Sequence, residues 1–306
     1  MKQLFFTLFF LVFSLEFGLS QTIIAVGTMP GQNQKPPKIL DNTMLQITYE
    51  VRSVRDSLEL DQFVEDVMVL QIGKQGISKY YNDTNRRRDS IIRAMNPQLS
   101  APPAGGNATY RINPQQMQLP RSSGDQTTVF KNWPTGSLTV TDQVMMNAYS
   151  YTESPNQMEW KILPDTDTLL SYFCQKAVTE FRGRKFEAWF TPEIPLNEGP
   201  WKFCGLPGLI LQVSDTRQHY LFQCTGLVQV DGPIEFAELD YLKTNRRDLA
   251  RVKRKFYEDP RAALEAMSNS MGAGGQTAIR IRTADGSTSD TGRPISIKYN
   301  PIELDY

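Results

Sequence analysis

A chain of 306 residues, 40% of them hydrophobic, can bury a large core in one large domain or two smaller ones. Its 33 Lys and Arg balance its 33 Asp and Glu, so no global field draws it to nucleic acid or to an anionic membrane surface. One histidine and three cysteines without Cys-x-x-Cys spacing give no basis for a zinc or redox centre, and neither a metal nor another cofactor is expected.

Lys2 precedes an apolar run from Leu4 to Leu15, followed by Gly18-Leu19-Ser20, which is the pattern of a secretory signal over residues 1–20. The run is short for a membrane span, and no Cys at the cleavage point can accept a lipid. The expectation is a mature chain without a transmembrane segment, in the periplasm or outer cell envelope. There, one pair among Cys174, Cys204 and Cys224 could close as a disulfide and leave the third over.

Residues 21–40, with Pro30, Pro36 and Pro37, are expected to form a flexible arm. Met44 to Arg52 alternates, with Leu45, Ile47, Tyr49 and Val51 on one face, as a half-buried antiparallel strand does. Glu65 to Gly73 and Ile77 to Tyr81 read as a hairpin across Gly73 to Gly76. Asp83 is a candidate N-cap for a helix to Met95 that Pro97 stops.

The Pro, Gln and Gly content of residues 96–126 predicts a flexible insertion. Strands resume at Thr127–Trp133, Ser137–Thr141, Val144–Thr152 and Glu159–Ile162. Four more follow at Tyr172–Phe181, Arg184–Phe190, Leu209–Val213 and Tyr220–Val230. A helix is expected from about Asp240 to Tyr257, and Asp259-Pro260 can cap a short second one. Residues 266–292 read as a disordered linker, and alternation at Ile295, Ile297 and Tyr299 makes 293–306 a closing strand. Residues 41–265 and this strand then form one domain of mainly β (α+β) class.

Cys174-Gln-Lys-Ala177, Phe181-Arg-Gly-Arg184, the run Ala188 to Pro195, the run Gly199 to Ile210 and the closing Asn300-Pro-Ile-Glu-Leu304 resemble the signature and tail of the GLPGLI family. The resemblance implies an exported protein of Bacteroidetes-type bacteria, often encoded near outer-membrane receptors, with no established activity and no catalytic residue to carry over. By analogy it also implies a curved antiparallel sheet or half-barrel packed with a few helices, like periplasmic lipoprotein carriers. Cys204 stands where the family more often has a small residue.

The signature residues allow two physical readings. Gly205-Leu206-Pro207-Gly208 suits a type II turn, with Pro207 fixing one angle, Gly208 supplying positive φ, and Leu206 anchoring the turn in the core. Alternatively Trp189, Trp201 and Phe203 rim a cavity, with Lys202 facing an acidic headgroup or partner. His219 is the only imidazole that could serve Cys174 or Cys204 as a base, with Asp215 to orient it. That pair also flanks a hairpin turn, where polar residues are ordinary. The basic run Arg246 to Lys255 reads as the solvated side of an amphipathic helix.

These readings lead to an exported binding or accessory protein, with an outer-membrane receptor or an apolar ligand as its partner. The alternatives are a Cys/His-dependent hydrolase-like enzyme and a structural module that docks on a receptor through a sheet edge.

Overall fold

The computed structural model describes residues 22–23, 35–95, 123–145, 147–155, 158–260, 262–263, 281–282 and 298–305. The chain forms two compact units, one of residues 1–34, 87–120 and 255–297, the other of 35–86, 121–254 and 298–306. In the first, β1 (Thr22–Ile23) pairs antiparallel with β15 (Ile281–Arg282), inside the stretch expected to be a linker.

The second unit carries a 13-stranded open sheet. Its strands in chain order are β2 (Lys38–Val54), β3 (Phe63–Gly73), β4 (Ser78–Asn82), β5 (Thr128–Lys131), β6 (Leu138–Val144), β7 (Asn147–Glu153), β8 (Lys161–Leu169), β9 (Tyr172–Phe181), β10 (Arg184–Thr191), β11 (Leu209–Asp215), β12 (Tyr220–Val228), β13 (Pro233–Phe236) and β14 (Leu242–Lys243). The order across the sheet is β14-β7-β6-β5-β4-β3-β2-β12-β11-β10-β9-β8, with β13 paired to the start of β2. Only β14 beside β7 is parallel, so the protein is mostly β with a large, nearly all-antiparallel sheet. Helices α1 (Asp83–Met95) and α2 (Arg246–Glu258) accompany it, and residues 260, 262 and 263 are also helical.

Period-two alternation builds the core. Ile47 lies opposite Leu70, Leu70 opposite Tyr80, Tyr80 opposite Val129, Val129 opposite Val140 and Val140 opposite Tyr151, one row of side chains across six strands. All six are buried, and each aliphatic member stabilises the fold by about 1.5–3 kcal/mol.

Several elements differ from the sequence reading. Strand β2 begins at Lys38, inside the expected arm, because Lys38 to Asn42 pairs with β13. The cap of α1 is Asn82, whose Oδ1 accepts the Asn85 N–H at 2.9 Å, while Asp83 sits in the first turn and pairs with Arg86. The expected strand Val144–Thr152 is broken by a turn at Met145 (φ 57), which separates β6 from β7. Helix α2 starts at Arg246 because Asn245 caps it: Asn245 Oδ1 accepts the Asp248 N–H, and its amide donates back to the Asp248 carboxylate.

Residues 298–305 are not a strand but an extended coil held by side chains. Most of the insertion expected at 96–126, and of the linker at 266–292, lies outside the described residues.

Candidate functional site

The loop between β10 and β11, residues 192–208, lies against the inner face of both halves of the sheet. Lys131 Nζ of β5 donates to the carbonyls of Gly199 (2.7 Å) and Phe203 (3.1 Å) and pairs with Glu198 at 2.6 Å. Ser78 of β4 donates to Glu198, and Tyr49 of β2 to the carbonyl of Ile210 at 2.7 Å. From the other half, Phe186 of β10 and Phe222 of β12 meet the Phe203 ring edge-on, at 4.9 and 5.7 Å between centroids. The loop is therefore core rather than cover.

The turn chemistry expected at Pro207-Gly208 is corrected in one respect. The positive φ belongs to Gly205 (φ 103), not to Gly208. Gly208 is required for a different reason: a Cβ there would stand 2.1 Å from the Thr191 carbonyl oxygen, so only glycine lets the loop return against the end of β10. Leu206 is buried, as an anchor would be.

Of the four residues expected to form a rim, Trp201, Lys202 and Phe203 are brought together, but inside the core, and Trp189 is not among their contacts. Trp189 lies half-buried with Lys176 Nζ 5.8 Å from its ring. Trp201 and Phe203, 7% and 0% exposed, stack edge to face inside the core, and Trp201 holds a left-handed φ of 49. Lys202 is 1% exposed. Its ammonium faces carboxylates of its own chain instead of solvent, 2.7 Å from both Glu153 and Glu303, with the Tyr151 hydroxyl at 3.0 Å.

Desolvation alone would lower the Lys202 pKa. Tyr151, Glu303 and Glu153 outweigh it and hold the ammonium above its ordinary value. Arg246 of α2 reaches Glu303 at 3.5 Å and Asp305 at 2.7 Å, and Arg182 reaches Glu153 and Asp305, both at 3.4 Å. Three cations thus face three carboxylates, which is how buried charge is tolerated.

A second clamp centres on Arg184, the first residue of β10. One guanidinium nitrogen pairs with Asp215 at 2.9 Å, both side chains 1% exposed, and lies 3.1 Å from His219 Nδ1. The others donate to Asn300 Oδ1 (2.6 Å), the Pro301 carbonyl (2.7 Å) and the Ile302 carbonyl (3.1 Å). The Tyr220 hydroxyl also donates to the Asn300 carbonyl. Because an arginine always donates, Nδ1 of His219 acts as acceptor and the ring is neutral. Burial first, then Arg184 and Arg217, lower its pKa against the pull of Asp215.

Sequence reasoning reached Lys202, Asp215 and His219 as candidates and held Arg184, Glu303 and Arg246 only within motif runs and a basic run read as solvated, where Arg246 is instead 11% exposed and paired; Tyr151 and Glu153 were not reached. The usable signal was that two motif runs, 181–184 and 199–210, carry the bases and a third, 300–304, an acid.

Cys174, Cys204 and Cys224 are free thiols, and no pair is closed. Burial raises all three, Cys224 to about 11. The contacts of His219 are to Arg184, not to a thiol. Among the described residues no group of three His, Cys, Asp or Glu side chains is placed to hold a metal ion, and no described helix is long and apolar enough to cross a membrane. An open cleft of about 570 Å³, lined by Met44, Leu45, Lys74, Gln229, Val230 and Asp231, shares no residue with the motif.

Fold and site together define a mostly β protein whose signature loop is packed into its own sheet and clamps its own terminal segment. The family model described as Protein of unknown function (Porph_ging), a Bacteroidetes-associated family, matches residues 179–212, from the end of β9 through the loop into β11. No curated protein matches the chain. Among solved structures, PNGF-II in its C2 and P21 crystal forms is similar at 12% identity, with TM-scores of 0.45 and 0.46. The alignments cover 68% and 69% of this chain but 32% and 33% of PNGF-II, so the chain spans about a third of that protein's length.

Proposed function

We propose that the chain is an exported accessory protein of the bacterial envelope, of the GLPGLI type, that binds a protein partner. Lys2 and the apolar run Leu4–Leu15 support export with cleavage near Ser20, to the periplasm or outer envelope. A partner is favoured over an apolar ligand by one observation. The aromatic loop that would rim a ligand cavity is buried in the sheet, while the edge strand β8 is exposed along almost its whole length. A sheet like that of lipoprotein carriers, filled by its own loop, would keep the carrier architecture without the carrier's cargo.

On and beside β8, Ile162, Leu170 and Phe173 are 43%, 45% and 48% exposed. Pro164 and the irregular pairing between Ile162 and Thr166 blunt the first half of the edge against strand addition. Thr166 to Leu169 is regular and leaves its outer backbone groups for a partner strand. An outer-membrane receptor is the partner the resemblance suggests. The alternative of a Cys174 or Cys204 nucleophile served by His219 has no observation in its favour, since His219 accepts from Arg184 and burial pushes both thiols up, away from the thiolate.

The test is crosslinking in the native envelope followed by native mass spectrometry, on the wild type and on an Ile162→Asp, Phe173→Asp variant whose sheet content is checked by circular dichroism. A receptor that copurifies with the wild type and is lost from the variant supports the proposal. A bound lipid with no protein partner, or a partner retained by the variant, overturns it.

A further inference from the structure

The hairpin of β8 and β9 ends in a two-residue turn, Leu170 (φ 50) and Ser171 (φ 69), which closes on the Leu169–Tyr172 pair. A leucine is strained at positive φ, where asparagine or glycine would be at ease, and this one stands 45% exposed at the tip. Because the turn fixes Leu169 as a residue bonded to β9, the alternation of an antiparallel ladder aims the backbone groups of Thr166 and Thr168 outward, to the open edge. The Thr168 N–H is covered there by its neighbour: it donates to Asp167 Oδ1 at 2.7 Å.

This edge is also one-signed. From Ile162 to Gln175 the chain holds Asp165 and Asp167 and no Lys or Arg. Lys161 lies before the irregular pairing that follows Ile162, and Lys176 is already paired with Glu187 at 2.8 Å. Asp167 stands opposite Cys174, so its carboxylate rises on the side of the sheet where that thiol is buried. On the other side Thr168 stands opposite the exposed ring of Phe173. A strand laid along β8 therefore meets carboxylate on one face and threonine backed by an aromatic ring on the other. An open edge pairs with any extended chain unless something blunts it, and the Asp167 carboxylate on the Thr168 N–H does so. A cation that draws this carboxylate away uncovers the N–H.

We propose that β8 is a guarded edge that selects an extended protein segment in which Lys or Arg alternates with apolar residues. The bases of the segment pair with Asp165 and Asp167 and release the Thr168 N–H to a carbonyl of the partner, while its apolar residues cover Thr166 and Thr168 and reach Phe173. A neutral strand leaves the guard in place, and an acidic one adds like-charge repulsion. Charge thus sets the specificity and main-chain bonds the affinity. The inference rests on the reading of β8 as the docking edge and names the chemistry of what docks there.

The experiment uses the full chain and three fluorescent hexapeptides, alternating Lys with Val, Thr with Val, and Glu with Val, with binding read by anisotropy at low ionic strength. The Lys/Val peptide should bind at least about tenfold more tightly than Glu/Val and weaken as salt is added. Asp165→Asn with Asp167→Asn should erase that preference. Asp167→Ala, which removes the guard, should raise the affinity for Thr/Val at least about threefold, as one main-chain bond implies. Methylating every backbone amide nitrogen of the Lys/Val peptide should abolish its binding. Equal binding of the three peptides, a preference kept by the double Asn variant, no gain for Thr/Val with Asp167→Ala, or tight binding of the methylated peptide each overturns the proposal. A receptor captured through Ile162 and Phe173 alongside peptides that bind equally sinks this inference alone and leaves the docking reading standing.

Discussion

The loop 192–208 and the strand β8 lie close in sequence and have opposite surroundings. The loop places two aromatic rings, a leucine and a lysine where almost no solvent reaches them, whereas β8 exposes both apolar and acidic side chains. Topology explains the contrast. The loop leaves the sheet at β10 and returns at β11, which have neighbours on both sides, so it falls on the shared inner face. β8 ends the strand order and has β9 on one side only. Burial of Lys202 follows from where Glu153 and Glu303 arrive, not from any property of the lysine.

The comparison can be broken most severely at Phe203. Replacing it by Ala removes the ring that joins Phe186, Trp201 and Phe222, and a loss of about 3–5 kcal/mol is expected in urea unfolding. A loss below about 1 kcal/mol would mean that the loop is not core. Gly208→Ala drives a methyl group into the Thr191 carbonyl and should destabilise by about 1–3 kcal/mol, with the melting temperature falling accordingly.

A smaller effect sharpens the Arg184 clamp. The folded pKa of His219 lies below its ordinary 6.5, so the unfolded chain takes up the proton more readily. The stability this contributes is complete above that value and is lost as pH falls through it towards the folded pKa. Urea midpoints of the wild type should therefore decline between about pH 7 and pH 5.5, and those of His219→Gln should decline less over the same window. The smallest effect belongs to the edge: Ile162→Thr with Phe173→Thr should shift stability by no more than about 1 kcal/mol, because both side chains are already about half exposed to water.

Much of the sheet was legible. The alternation of Leu45 to Val51, the hairpin at Gly73 to Gly76 and the strands flanking the signature run follow from local pattern, and the structure bears out a mostly β, antiparallel protein with few helices. β8 was legible only at its start, since Pro164-Asp165-Thr166-Asp167-Thr168 has no apolar alternation and forms a strand because β9 offers it an edge. The terminal strap failed in the other direction. Of the closing strand expected over 293–306, residues 293–297 lie outside the described residues, and 298–305 form no strand, because Pro301 lacks an N–H and Arg184 takes the carbonyls that a ladder would need.

The site was legible as a cluster of motifs but not as a clamp. Lys202 and Glu303 lie about a hundred residues apart in sequence, and no local signal says that they meet. Nor does Gly208 announce that its role is clearance from Thr191 instead of a left-handed turn.

The central claim is that the signature loop is held in the core together with the terminal strap through the Lys202–Glu303 contact. A double-mutant cycle of Lys202→Met and Glu303→Gln in urea unfolding tests it most directly. Lys202→Met alone leaves Glu153 and Glu303 without their ammonium and should cost about 3–5 kcal/mol. The account predicts that the pair is coupled by at least about 1 kcal/mol, the double variant losing less than the two single losses combined. Additivity within about 0.5 kcal/mol would contradict it, because the two residues would then be independent.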